Sequence, residues 1–149
     1  MGLGKKVKLV YKPLGVVGLI TPWNGPVALA VNPMVQALMA GNAVVHKPSE
    51  VTPLSALLVK QLTVAAGFPE GLYQVLQGDG QTGADLIEAG VDKISFTGSA
   101  ATGRKVAAAC GERLIPVTLE LGGKDAMIVC ADADLEVAAK GAVMGSCMN

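Results

Sequence analysis

The sequence predicts an α/β fold built on a doubly wound parallel sheet. Three observations carry that expectation. Short apolar runs alternate with segments of helical periodicity along the whole chain. Glycine and proline punctuate the boundaries, with 19 Gly and 8 Pro among 149 residues. Hydrophobic residues reach 51% and charged ones only 16%, which suits strands covered on both faces and therefore apolar throughout. Repeated strand–helix–strand units join parallel strands by right-handed crossovers.

The elements follow in order. Leu14 to Thr21 (LGVVGLIT) reads as a strand, and PWNGP after it as a loop. Asn32 is expected to cap a helix with Pro33 at its first position and Gly41 at its end. Ala43 to His46 is a second strand, which leaves Lys47 at its carboxyl end. Thr52 and Pro53 open the next helix, and Gly67 closes it ahead of Pro69. Leu72 to Leu76 is a third strand, and GDGQTG turns the chain into a helix ending near Gly90. Lys93 to Phe96 is a fourth strand, and TGSAATG starts the next helix. Ile115 to Leu121 is a fifth strand, ended by Gly122 and Gly123. Met127 to Cys130 is expected to be a sixth, after which Asp132 caps a last helix. No repeat or linker divides residues 1–149, so one domain is expected.

Bulk properties narrow the function. Twelve basic residues balance twelve acidic ones, so neither nucleic acid nor an anionic membrane is an expected partner. Aromatic residues make up 3%, too few for a base-stacking platform. The opening residues, MGLGKKVKLVYKPLG, lack the apolar core of a signal peptide, and no apolar run escapes interruption long enough to span a membrane. Cys110, Cys130 and Cys147 are odd in number and lack metal-ligand spacing. No metal site is expected, and the thiols point to a reducing, cytoplasmic compartment. The high apolar content also suggests that some surface packs against further protein.

Ligands of doubly wound sheets sit at the carboxyl ends of the strands. Asn24, Lys47, Glu50, Gly78, Gly98, Ser99 and Glu120 all fall there. FTGSAATG (Phe96 to Gly103) suits an anion resting on a helix N-terminus, or equally a plain strand–helix turn. It departs from a Walker A loop, because Arg104 follows the second glycine and no Lys–Ser/Thr pair is present; a P-loop NTPase is therefore disfavoured. Glu120 in VTLELGG is either a solvated strand end or a general base with a pKa raised by apolar surroundings. Asn24, stiffened by Pro22 and Pro26, is a turn residue or an amide donor for an oxyanion. Lys47 and Glu50 form a solvated turn or offer a cation and an acceptor to a ribose. Trp23 and His46, each the single example of its type, read as structural.

Taken in order, PLGVVGLITPWNGP, GNAVVHKPSEVTP, AAGFPEGLYQVLQGDG, ISFTGSAATG, VTLELGGKDAMIV and GAVMGSCMN resemble the NAD(P)-dependent aldehyde dehydrogenases from about Val7 to Asn149. The resemblance implies the family's Rossmann-like cofactor domain, here partial at both ends. It implies NAD or NADP as cofactor, an aldehyde as substrate and a homo-oligomeric parent enzyme. By the same resemblance Asn24 is the oxyanion-hole amide and Glu120 the base that activates water. Lys47 and Glu50 hold the adenosine ribose, Gly98 and Ser99 carry the pyrophosphate, and Gly78 and Gly83 flank the adenine. Thr21 and Trp23 neighbour the nicotinamide half, and Leu121 counts with the cofactor contacts. Glu50 would repel a 2′-phosphate, which favours NAD, although Ser49 and Lys47 could receive one.

Three positions depart from the family pattern. Asn149 aligns with an Asn that the family follows with Gly-Gln and, five positions beyond that Asn, the nucleophilic Cys; that Cys is therefore expected outside these residues, and Cys147 is not its equivalent. Gly25 stands where an aromatic residue is usual, which implies a wider aldehyde tunnel. Pro33 stands where many members have Lys, which favours an apolar aldehyde. The alternative to an active segment is an inactive nucleotide-binding remnant.

Overall fold

A computed structural model describes Gly4 and residues 6–147. Five strands form one parallel sheet: β1 (Val16–Ile20), β2 (Ala43–Lys47), β3 (Tyr73–Val75), β4 (Lys93–Gly98) and β5 (Val117–Leu121). Their spatial order is β3-β2-β1-β4-β5, so the chain winds outward from β1 in both directions. Four helices make the crossovers: α1 (Ala28–Met39), α2 (Pro53–Ala65), α3 (Gly80–Glu88) and α4 (Ala100–Glu112). A fifth, α5 (Leu135–Cys147), follows the sheet. No helix among the described residues is long and apolar enough to cross a membrane.

Strand alternation splits the core in two. Val17, Leu19, Val44 and Tyr73 meet Met34 and Ala37 of α1 and Val59 of α2 on one face. Ile20, Ile94 and Phe96 meet Leu86 and Ile87 of α3 and Val106 and Cys110 of α4 on the other. Gly18 belongs to this second face. A Cβ there would stand 2.7 Å from Ile94 Cδ1, so only glycine lets α3 and its neighbours close on the central strand.

The helix stops are as expected. Gly41 and Gly67 sit at φ +84° and +83°, and their flanking N–H groups return to the last turn: Gly41 to Leu38 and Asn42 to Ala37, Gly67 to Val64 and Phe68 to Thr63. Two helix starts and one expected strand differ from expectation. α1 begins a turn earlier than Asn32, and Pro33 lies inside it. The contacts of Ala30, Met34 and Ala37 with the sheet outweigh the missing N–H of Pro33, and Asn32 accepts from Gln36 Nε2 at 2.7 Å instead of capping. Met127 to Cys130 forms no strand; Ile128 is 87% exposed and pairs with nothing among the described residues. The cap of α5 is Asp134 rather than Asp132, its Oδ1 accepting from the N–H groups of Glu136 (2.9 Å) and Val137 (3.1 Å). α5 buries none of its residues, and Leu135, Val137, Val143 and Met144 stand exposed.

His46 is fully buried between Thr21 and Tyr73. Its Nε2 lies 2.7 Å from Thr21 Oγ1 and its Nδ1 2.6 Å from the Tyr73 hydroxyl. Burial first, and the Lys47 charge second, lower its pKa from 6.5 to about 4. The folded chain therefore binds fewer protons here than the unfolded chain between those values. Stability from the neutral ring is complete above pH 6.5 and lost as pH falls toward 4, a difference of roughly 3 kcal/mol. Urea unfolding midpoints measured across that window should drop for the natural sequence. The drop should flatten in His46→Gln, which retains hydrogen bonding but does not titrate; equal slopes would show that other groups dominate.

Candidate functional site

The register of the central strands brings the carboxyl ends together. Ile20 pairs with Lys47 on one side and with Phe96 on the other, and Gly98 pairs with Leu121. Beyond those ends two clefts open on opposite faces of the sheet. The cleft beside α3 and α4 has a volume of about 510 Å³ and is bordered by Thr21, Lys47, Glu50, Gly83, Gly98 and Ser99. The cleft beside α1 has about 840 Å³ and is bordered by Trp23, Asn24, Glu120 and Leu121. Pro22, Thr97, Gly98 and Ser99 border both and form the ridge between them. Of the residues to which the resemblance gives a catalytic or cofactor role, only Gly78 borders neither. Its φ is +155° and a Cβ would collide with Thr82, so it shapes the entry to α3.

Lys47 is a buried cation of the first cleft. It ends a buried strand, its side chain is 6% exposed, and its Nζ donates to Glu50 Oε2 at 3.2 Å. An ammonium carries three protons; among the described residues, Glu50 is the one side chain that takes one. Glu50 itself is exposed. A backbone hydrogen bond within Glu50 first, and the Lys47 ammonium second, lower its pKa below the usual carboxylate value. The pair thus offers adjacent donors and an ionised acceptor at one rim of the cleft.

Ser99 caps α4, its Oγ accepting from the Thr102 N–H at 3.2 Å while donating to Thr102 Oγ1 at 3.0 Å. The first N–H groups of a helix have no intrahelical partners and carry its positive dipole end. β4 therefore delivers an anion-favouring helix start to the border of the cleft. Gly103, one turn on, faces Leu121; a Cβ would come within 2.5 Å of Leu121 Cδ2, so glycine brings α4 close to the end of β5. Gly83 of α3 forms the opposite wall. A Cβ there would meet Ile20 and Lys47 only at ordinary contact distances of 3.6 and 3.9 Å, so the space it leaves belongs to the cleft.

In the second cleft Asn24 and Trp23 are exposed on the loop after β1, and Glu120 is exposed near the end of β5. Glu120 therefore meets solvent, as the first of its two sequence readings, a solvated strand end, has it. No cysteine borders either cleft among the described residues: Cys110 is buried in the core, and Cys130 and Cys147 are exposed. Asn149 lies outside the described residues.

Sequence reasoning missed three groups. Lys105, two residues after Gly103, borders the first cleft as a second cation; its spacing of three from Thr102 on the same helix face was the available signal. Tyr73 and Asn42 were overlooked because their partners are distant in sequence. Asn42 Oδ1 accepts from the N–H groups of Leu14 (2.6 Å) and Gly15 (3.0 Å) and fixes the entry to β1.

Comparison with known proteins gives the chain's family. The sequence profile of the Aldehyde dehydrogenase family matches residues 3–149. The chain belongs to that family. It is 52% identical over 135 residues to a betaine aldehyde dehydrogenase of Agrobacterium fabrum, covering 90% of this chain and 27% of that protein. It is 49% identical over 142 residues to a 4,4′-diapolycopene aldehyde oxidase of a Methylomonas species, covering 95% and 27%. An NAD+ complex of an aldehyde dehydrogenase from Bacillus cereus superimposes with a TM-score of 0.86 at 44% identity, over 90% of this chain and 28% of that one. The chain thus spans little more than a quarter of the length of these relatives.

The cap is a direct test of local structure. Ser99→Ala should cost about 1 kcal/mol in urea unfolding, because it strips the acceptor from the Thr102 N–H. A loss below a few tenths would mean that water replaces the cap without penalty.

Proposed function

We propose that this chain forms the dinucleotide-binding part of an aldehyde-oxidising enzyme, with NAD the preferred cofactor. The observation that carries the reading is the buried Lys47 ammonium paired with Glu50 across a cleft from the start of α4. A vicinal diol needs a donor and an acceptor side by side, and a pyrophosphate needs unpaired N–H groups. One cleft supplies both. Lys47 and Glu50 would hold the adenosine ribose, and Gly98 and Ser99 the pyrophosphate. Gly83, with Gly78 shaping the turn before it, would lie along the adenine. Thr21, Trp23 and Leu121 sit toward the ridge, where the nicotinamide half would reach the second cleft. The Glu50 carboxylate disfavours a 2′-phosphate by like-charge repulsion, which is why NAD is preferred over NADP.

In the reaction of this class a cysteine thiolate adds to the aldehyde carbon, and the resulting alkoxide collapses to a thioester as its hydride leaves. The cofactor supplies the acceptor for that hydride. Water then cleaves the thioester to a carboxylic acid, and the thiolate is regenerated. Asn24 would donate its amide N–H to the developing oxyanion, and Glu120 would take the proton from water. Because no cysteine borders either cleft among the described residues, the thiolate would come from elsewhere in the polypeptide. A homo-oligomeric, cytoplasmic enzyme is the form we propose, in keeping with the free thiols and the exposed apolar face of α5.

Calorimetric titration of the 149-residue chain with NAD, and with ATP for comparison, tests the cofactor reading. Saturable NAD binding is expected, weakened about ten-fold or more by Lys47→Met, which keeps the alkyl stem and removes the charge-assisted donor. Gly83→Ala should weaken binding while raising helix stability by up to about 1 kcal/mol; equal affinity in that variant would place the adenine elsewhere.

The base is tested in an enzyme of family length that carries this segment. Glu120→Gln should preserve a burst of reduced cofactor but slow the steady state, since a base for water acts only after the thioester has formed. Disappearance of the burst would assign Glu120 to an earlier step.

A further inference from the structure

Thr21, His46 and Tyr73 form one buried hydrogen-bonded row across the sheet, from the residue after β1, through His46 of β2, to the first residue of β3. His46 and Tyr73 border neither cleft, whereas Thr21 does. Thr21 also closes the sheet at that point, its N–H donating to the Lys47 carbonyl at 3.3 Å. The row thus ends where two functional segments diverge: Lys47 on β2, and the Pro22–Asn24 loop that follows Thr21.

A neutral imidazole donates from one nitrogen and accepts at the other, so the row has a direction. The phenol of Tyr73 is the more acidic of the two hydroxyls and the better donor. It lies in the apolar core with Val44 and Leu19, and among the described residues its hydroxyl has no hydrogen-bond partner besides His46. Were Nδ1 to donate, the phenolic proton would be stranded in that core at a cost of about 1–3 kcal/mol. Donation from Tyr73 to Nδ1 avoids this, places the ring proton on Nε2 and makes Thr21 Oγ1 the acceptor. The proton left over is then that of Thr21, at the strand end where the sheet opens.

We propose that His46 is a positioning residue for dinucleotide binding: held as the Nε2–H tautomer by Tyr73, it pins Thr21 and so fixes the β1–β2 wall of the cleft and the root of the Asn24 loop. The proposal rests on the dinucleotide reading above. It gives His46 a part in ligand affinity although it touches no ligand, through a wall set before the ligand arrives.

The sequence holds a single histidine, so ¹⁵N spectra of the imidazole report on one residue. Nδ1 should resonate as an unprotonated acceptor nitrogen and Nε2 as a protonated one, and both should shift when NAD is added; the opposite protonation overturns the proposal. Tyr73→Phe changes no residue that lines a cleft. It should mix the tautomers and weaken NAD binding about three- to five-fold, measured on samples shown to be folded. Thr21→Val should weaken binding by a similar factor, and Thr21→Ser should restore most of that loss; if Tyr73→Phe does not fold, the protonation of the His46 nitrogens decides the matter. Unchanged NAD affinity in both Tyr73→Phe and Thr21→Val would reduce His46 to core packing, overturning the proposal while leaving the dinucleotide reading intact. An unmodified chain that fails to bind NAD overturns both.

Discussion

The structure depends on the parallel pairing of β1 with two partners at once. Val16–Ile20 is hydrogen-bonded to β2 on one side and β4 on the other. Because the chain leaves β1 for β2 and β3, then returns to add β4 and β5 on the far side, the loops after β1 and β4 diverge to opposite faces. A crevice at such a reversal of strand order is where ligands of doubly wound sheets bind. Gly18 is the local condition for this pairing to be covered, since any side chain there would meet Ile94, Leu86 and Val91.

From that pairing the two clefts follow. Ile20, Lys47 and Phe96 lie level across the sheet, so the cation at the end of β2 and the helix start after β4 face each other across one cavity. The same ridge, Pro22 with Thr97 to Ser99, separates this cavity from the one that holds Asn24 and Glu120. Groups that would hold a cofactor and groups that would act on a carbonyl are thus adjacent but on different faces. A ligand joining them must cross the ridge, which is where Thr21 and the end of the buried Tyr73–His46–Thr21 row stand.

Much of this was legible in the sequence because it is encoded locally. The five paired strands are apolar runs, and the stops at Gly41, Gly67 and Gly90 are positive-φ positions that glycine favours. The candidate residues cluster because strand ends do. The errors also share a cause. Asn32 and Asp132 have good capping side chains, but the turns that actually start α1 and α5 are set by contacts and by Asp134. Met127 to Cys130 has β-forming composition but no partner strand, and a strand is a property of a pair.

The sequence by itself determined the fold class, the order of elements, the family and the set of polar residues placed at strand ends. Each depends on periodicity, turn chemistry or motif order within a few dozen residues. Only the tertiary structure decided how those residues are shared between two clefts, that the Lys47 ammonium is buried against Glu50, and that Glu120 is exposed. It alone joined His46 to Tyr73, 27 residues away, and to Thr21, 25 residues away. The physical reason is that burial, pairing and proton placement depend on which distant segments come into register, and register is fixed only when the whole sheet has formed.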